Sequence, residues 1–92
     1  MDDLLLSKIR LAAIAELLSS ESITFASMQK SIATSNGNLG AHLAKLVAAG
    51  YISEEKTFID RRPQTRYRLT SLGRRAFKMH VSQLQGLLKG AR

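Results

Sequence analysis

The chain has no cysteine, no tryptophan and a single proline among its 92 residues. Without cysteine it cannot be a disulfide-stapled secreted scaffold, a cysteine zinc site or a thiol sensor. One proline, with hydrophobic residues at 45% of positions, argues against a disordered basic tail and for a folded, mainly helical protein. Long apolar runs are missing too. Leu4, Leu5 and Leu6 are soon followed by Lys8 and Arg10, too short a run for a signal peptide or a membrane span, so a cytoplasmic protein without membrane contact is the expectation. His42 and His80 have no cysteine partners, so no metal and no cofactor is expected, short of acidic ligands lent by a second subunit. The seven acidic residues form no spaced pair, the serines lack a His and Asp arrangement, and no glycine-rich phosphate loop is present. The reading is not that of an enzyme.

What is present in excess is positive charge. The net charge is +7, and it is unevenly placed. Between residues 56 and 78, Lys56, Arg61, Arg62, Arg66, Arg68, Arg74, Arg75 and Lys78 stand against Asp60 alone, whereas residues 1 to 55 are slightly acidic. A local surplus of this kind marks a face that binds polyanions. The length suits one domain, over residues 1–92, with one modest core and one site.

The stretch from Ser35 to Thr70 organises the rest. Ser35 is a good N-cap, Leu39, Leu43 and Leu46 recur at helical spacing, and Gly50 supplies the left-handed residue that closes a helix. The period then changes to two. Ile52, Glu54, Lys56 and Phe58 alternate with their neighbours, as do Tyr67 and Leu69 with Arg66, Arg68 and Thr70, which predicts a hairpin whose loop holds Asp60, Arg61, Arg62 and Pro63. Upstream, Leu4 to Leu18 reads as one helix, apolar on more than one face and therefore covered on two sides, with a second subunit as the expected second cover. Ile23, Thr24 and Met28 have the spacing of a hydrophobic staple around an N-cap, opening a short helix from Phe25 to Ile32. Two helices joined by so short a turn make a helix-turn-helix. After the hairpin, Thr70 or Ser71 caps a last helix to about Leu88, again with a broad apolar stripe.

Three ordered pieces, Asn38-Leu39-x-x-His42-Leu43-x-x-Leu46-x-x-x-Gly50-Tyr51-Ile52, then Arg61-Arg62-Pro63-x-Thr65-x-Tyr67-x-Leu69-Thr70, then Gly73, resemble the winged-helix transcriptional regulators of the MarR-like and ArsR-like groups, in particular their short stand-alone members. The resemblance covers nearly the whole chain. It implies a mainly α fold with a small β-hairpin (α+β), in the order helix, short strand, two helices, strand, wing, strand, helix. The helix-turn-helix would occupy about 25–49, the wing about 51–70 and a C-terminal dimerisation helix about 71–88. It further implies a homodimer held by the N- and C-terminal helices, binding double-stranded DNA with the Ser35 helix in the major groove and the wing along the backbone or minor groove.

The DNA-binding candidates are Ser35, Asn36, Asn38, His42 and Lys45 on the helix and Arg61, Arg62, Arg66 and Arg68 in the wing. Asparagine can read adenine bidentately, and lysine reaches guanine or a phosphate. Beside these roles stand plainer ones: Asn36 and Asn38 bonding locally in the first turn, His42 packed, His80 structural, and Arg66 and Arg68 as a solvated strand edge. If the leucines face inward, Gly37, Ala41, Ala44 and Ala48 fill the outward face, where such families carry longer polar side chains. Modest sequence specificity is expected. The function read is a transcriptional regulator, a repressor acting by promoter occlusion, with no effector identified. A winged-helix protein-interaction module and an architectural or RNA-binding protein of low specificity are the alternatives.

Overall fold

Short polar side chains set where the helices begin. In the computed structural model, which describes residues 2–90, Ser7 accepts the Arg10 N–H at the start of helix α1 (Lys8–Leu18). Thr24 accepts that of Ser27 at α2 (Phe25–Ser31), and Ser35 accepts that of Asn38 at α3 (Asn36–Ala48). Thr70 accepts the Gly73 N–H at α4 (Ser71–Gly90). Each satisfies one of the donors that a helix start leaves unpaired. Strands β1 (Ile23–Thr24), β2 (Ile52–Ile59) and β3 (Arg62–Leu69) complete the chain, giving the expected α+β order with a three-stranded antiparallel sheet, β1-β3-β2.

The N-terminal segment corrects the single helix expected from Leu4 to Leu18. Asp3–Leu6 is a 3-10 turn capped by Asp2, and Ser7 breaks it with extended backbone before α1 starts. A serine that can cap competes with continuing the helix, and the apolar run offered no sign of that competition. The break turns Leu5 into the core and leaves Leu6 exposed. Much of the cover for α1 then comes from within the chain, since it packs on α3, β3 and α4.

The core holds Leu5, Ile14, Leu17, Met28, Leu39, Leu43, Leu46, Ile52 and Tyr67. Leu39, Leu43 and Leu46 are the inner stripe of α3, as their spacing predicted. The helix ends in a double bond pattern, Gly50 N–H to the Val47 carbonyl and Tyr51 N–H to the Leu46 carbonyl, with Gly50 at φ 79°. That closure requires a left-handed residue, and glycine takes it without strain.

Helix α4 is tied to the same corner. The Thr70 hydroxyl donates to the Gly50 and Tyr51 carbonyls, and the Thr70 N–H donates to the Tyr51 carbonyl as well. A Cβ on Gly73 would lie 2.0 Å from the Tyr51 carbonyl oxygen, so the close approach of α4 to the end of α3 is possible only for glycine.

The hairpin is longer and its turn tighter than expected. Pairing runs unbroken from Ile52 opposite Leu69 to Ile59 opposite Arg62, so Arg62 and Pro63 belong to β3 and only Asp60 and Arg61 turn the chain. Both have positive φ, 51° and 67°, as a two-residue turn matching strand twist needs. The sequence concealed this because neither residue is the expected asparagine or glycine. Pro63 is tolerated because the pair next to the turn-closing pair exchanges no ladder bonds, and β1 reaches only Arg66 and Tyr67 on the other side.

Candidate nucleic-acid interface

With three leucines turned inward, α3 exposes Asn36, Gly37, Asn38, Ala41, Ala44, Lys45 and Ala48. This is the bare outward face that the sequence indicated. A Cβ on Gly37 would meet nothing within 4 Å, so no packing within the chain demands glycine there. Of the polar candidates, Ser35 spends its hydroxyl oxygen on the N-cap, and the Asn38 amide donates to the Thr34 hydroxyl at 2.7 Å. The Asn36 side chain bonds to no other described residue, and Lys45 is exposed and forms no ion pair among the described residues. Asn36 and Lys45 are therefore the ready donors of this face.

His42 is half-buried, and its Nδ1 accepts a hydrogen bond from the Arg10 guanidinium at 2.8 Å. Arginine can only donate, so Nδ1 carries the lone pair and Nε2 the proton. Burial first, then the Arg10 and Lys45 charges, hold the imidazole below its ordinary pKa and keep it neutral. Arg10 also donates through Nε to the Leu4 carbonyl at 2.6 Å, joining the N-terminal turn, α1 and α3. A second tie runs from the Tyr51 hydroxyl to the Asp2 carboxylate, which pushes the phenol up to about 12. Arg10 thus braces α3, and Asp2 the segment just after it, from the N-terminal side. Composition gave no signal for either, because their partners are far away in sequence.

Along the wing, Arg62, Gln64, Arg66 and Arg68 alternate with Pro63, Thr65, Tyr67 and Leu69, so the three arginines share the face turned away from the core. They do not share a neighbourhood. Arg66 donates to the Ser22 hydroxyl at 2.8 Å, and Arg68 pairs with Glu21 at 3.2 Å, both in the loop before β1. About 3.3 Å per residue puts Arg66 roughly 13 Å and Arg68 roughly 20 Å from Arg62. Arg61, in the turn, and Arg62 beside it are exposed with no partner among the described residues. At the same end stand two apolar side chains that the charge pattern did not single out, Phe58 at 75% exposure and Ile59 at 52%.

Elsewhere, α4 buries only Gly73 and His80 and exposes Leu72, Met79, Leu87 and Leu88. His80 is 2% exposed, and its Nδ1 has no hydrogen-bond partner among the described residues. It lines a cavity of about 490 Å³ between α4 and the Asp2–Tyr51 pair, with Leu72, Arg75 and Met79. Among the described residues no cluster of His, Asp and Glu could hold a metal, and no helix is long and apolar enough to cross a membrane.

A family model described as a winged helix DNA-binding domain matches residues 9–88. An uncharacterized protein of Methanocaldococcus jannaschii is 31% identical over 83 residues, 90% of either chain. A transcriptional regulator homologue of Pyrococcus horikoshii superposes with a TM-score of 0.87 at 28% identity, over 96% of this chain and 87% of its own. Bacillus subtilis PadR, solved in complex with operator DNA, has a TM-score of 0.72 at 14% identity, over 82% of this chain and 48% of its own.

Proposed function

Since the chain belongs to the winged helix DNA-binding domain family, a family and fold of DNA-binding transcriptional regulators and not of enzymes, we propose that it binds double-stranded DNA sequence-specifically as a homodimer and represses transcription by occluding a promoter. The observation that carries this reading is the pairing of two surfaces: an α3 face stripped of bulk, and an arginine-tipped hairpin beginning where α3 ends. Small side chains let a helix approach base edges closely, while Asn36 and Lys45 supply donors near its flank. Arg61 and Arg62 meet phosphates along the backbone or minor groove, and Ser35, Asn38 and His42 hold the helix at the angle it needs. Arg66 and Arg68 add positive field from further back. Bacillus subtilis PadR, with the same fold, is a precedent for operator binding.

The homodimer reading draws on α4. Leu72, Met79, Leu87 and Leu88 lie exposed along α4, Leu72 and Met79 lining the groove at Asp2 and Tyr51, so a second subunit packed on this helix would take large apolar side chains out of water. A twofold dimer would read a roughly palindromic site with half-sites about one helical turn apart, or a multiple of it. The cytoplasm is the compartment in which such a regulator works.

The test is a gel shift at physiological salt on duplexes selected from a random library, with the solution mass measured in parallel. Affinity should fall with salt at a slope of about −0.9 per phosphate contacted, and the double variant Arg61→Ala, Arg62→Ala should make that slope shallower by about one to two units. Its folding should hardly change, because both charges are exposed. A wild-type slope in that variant would remove the wing from the DNA and favour a protein-interaction module. A monomeric mass at micromolar concentration would end the homodimer reading. One observation favours a low-specificity duplex binder: Asn38 is already occupied by Thr34. Equal competition by unrelated duplex would establish that reading instead.

A further inference from the structure

We propose that the wing tip is an apolar wedge: Phe58, backed by Pro63, enters the minor groove at a base step and kinks the duplex, while Arg61 and Arg62 grip the phosphates on either side. The proposal rests on the DNA-binding reading above and adds to it a deformation and a source of specificity.

The tip has a composition unlike the rest of the wing. Phe58 stands opposite Pro63 in the ladder, so their side chains share one face, and Ile59 stands opposite Arg62 on the other. Phe58 and Ile59 are 75% and 52% exposed although they are adjacent in sequence and at the far end of a projecting hairpin. Two large apolar side chains in that position cost solubility and invite edge association unless a partner covers them. The partner is identified by what surrounds them. Arg61 and Arg62 flank the apolar pair without ion-pair partners among the described residues, and the nearest acid, Asp60, is in the turn itself. A positively charged turn next to an exposed Phe58, with Arg62 on the opposite face of the ribbon, complements a polyanion with an apolar interior, which is what a nucleic-acid groove offers at an opened base step.

Size makes the deformation necessary. A two-stranded ribbon has strands about 4.8 Å apart before side chains are added, whereas the minor groove of undistorted B-DNA is about 6 Å wide. With its side chains added, the ribbon fits that groove face-on only if the groove opens. Opening is what inserted apolar side chains achieve, by unstacking one step and bending the helix toward the major groove. Pyrimidine–purine steps yield most easily, so a preference for them under the wing follows without any hydrogen bond to a base. Such indirect reading compensates for an α3 face that carries Gly37, Ala41, Ala44 and Ala48 where long polar side chains would otherwise read bases.

The experiment uses a selected duplex of about 30 base pairs carrying a fluorescence donor and acceptor at its ends, with 2-aminopurine at the step facing the wing. Wild-type protein should raise energy transfer and brighten 2-aminopurine on binding. Phe58→Ala should bind roughly tenfold more weakly and abolish both signals. Its thermal unfolding should match wild type, since Phe58 packs on no core residue. Phe58→Leu should restore both signals, because an aliphatic wedge also unstacks a step. Binding by wild type with no change in either signal, or by Phe58→Ala with both signals intact, overturns the wedge while leaving DNA binding in place. Failure of the wild type to bind any duplex overturns the DNA reading itself, and the two failures are distinguishable by gel shift alone.

Discussion

Helix α3 and the wing stand at opposite extremes of constraint. The helix is fixed on every side that does not face outward: Ser35 and the Gly50 closure hold its ends, three leucines hold its inner stripe, and Arg10 holds His42 from behind. The distal wing has only its own ladder, because β1 reaches no further than Arg66 and no residue of the hairpin beyond Tyr67 joins the core. A constrained helix can place a donor within the few tenths of an ångström that base recognition needs. A free hairpin can follow a backbone that bends. On the proposed reading, the helix would supply position and the wing accommodation.

The largest expected effect tests whether α3 is in fact pinned. Gly73→Ala would drive a methyl group into the Tyr51 carbonyl, and overpacking against backbone should cost about 3 kcal/mol, at the upper end for such changes. In a domain of this size that lowers the melting temperature by roughly 10 to 20 °C, read by circular dichroism. An unchanged melting curve would mean that α4 lifts off the end of α3 freely.

Next comes the choice between the two asparagines. Asn36→Ala should shift the selected sequence and cost about 2 kcal/mol of discrimination at one base pair if the lost contact is bidentate. Asn38→Ala should shift it less, because its amide is engaged by Thr34. The reverse order would show that Asn38 exchanges its local bond for a base when DNA arrives.

The smallest effect separates stability from function. Gly37 is the second residue of α3 with open space around it, so Gly37→Ala should stabilise the fold by roughly 0.5 kcal/mol, mostly by restricting the unfolded chain. If the bare face approaches DNA closely, the same substitution weakens binding. Denaturant midpoints and gel shifts measured on one preparation decide the matter, and a variant both more stable and equally tight would show that α3 keeps its distance.

How legible these features were in the sequence depends on how far apart the interacting residues are. The N-caps Thr24 and Ser35, the left-handed Gly50, the α3 stripe and the hairpin were all readable, since each signal lies within a few residues of its effect. The break at Ser7 was not, because a serine beside three leucines fits a helix interior as well as a cap. The turn was misplaced toward Pro63 because Asp60 and Arg61 adopt positive φ without the residues that announce it. Arg10 with His42 is separated by 32 positions and Arg66 with Ser22 by 44. Contacts of that kind are created by the fold, and no local period encodes them. The same distinction holds for the arginines: turn composition put Arg61 and Arg62 near the end of the hairpin, but only the structure showed Arg66 and Arg68 drawn to Ser22 and Glu21.

The unbroken ladder of the wing couples how far it reaches to which face it offers. Because Ile52 to Ile59 pairs with Arg62 to Leu69 without a bulge, adding one residue to each strand would lengthen the arm by only about 3.3 Å yet exchange its two faces at the tip. Phe58 and Pro63 would then have to trade places with Ile59 and Arg62 for the old chemistry to point the same way. Only steps of two pairs, about 6.6 Å, preserve it. The wing's span can therefore change in coarse increments and its chemistry residue by residue, but a single added pair inverts the arm.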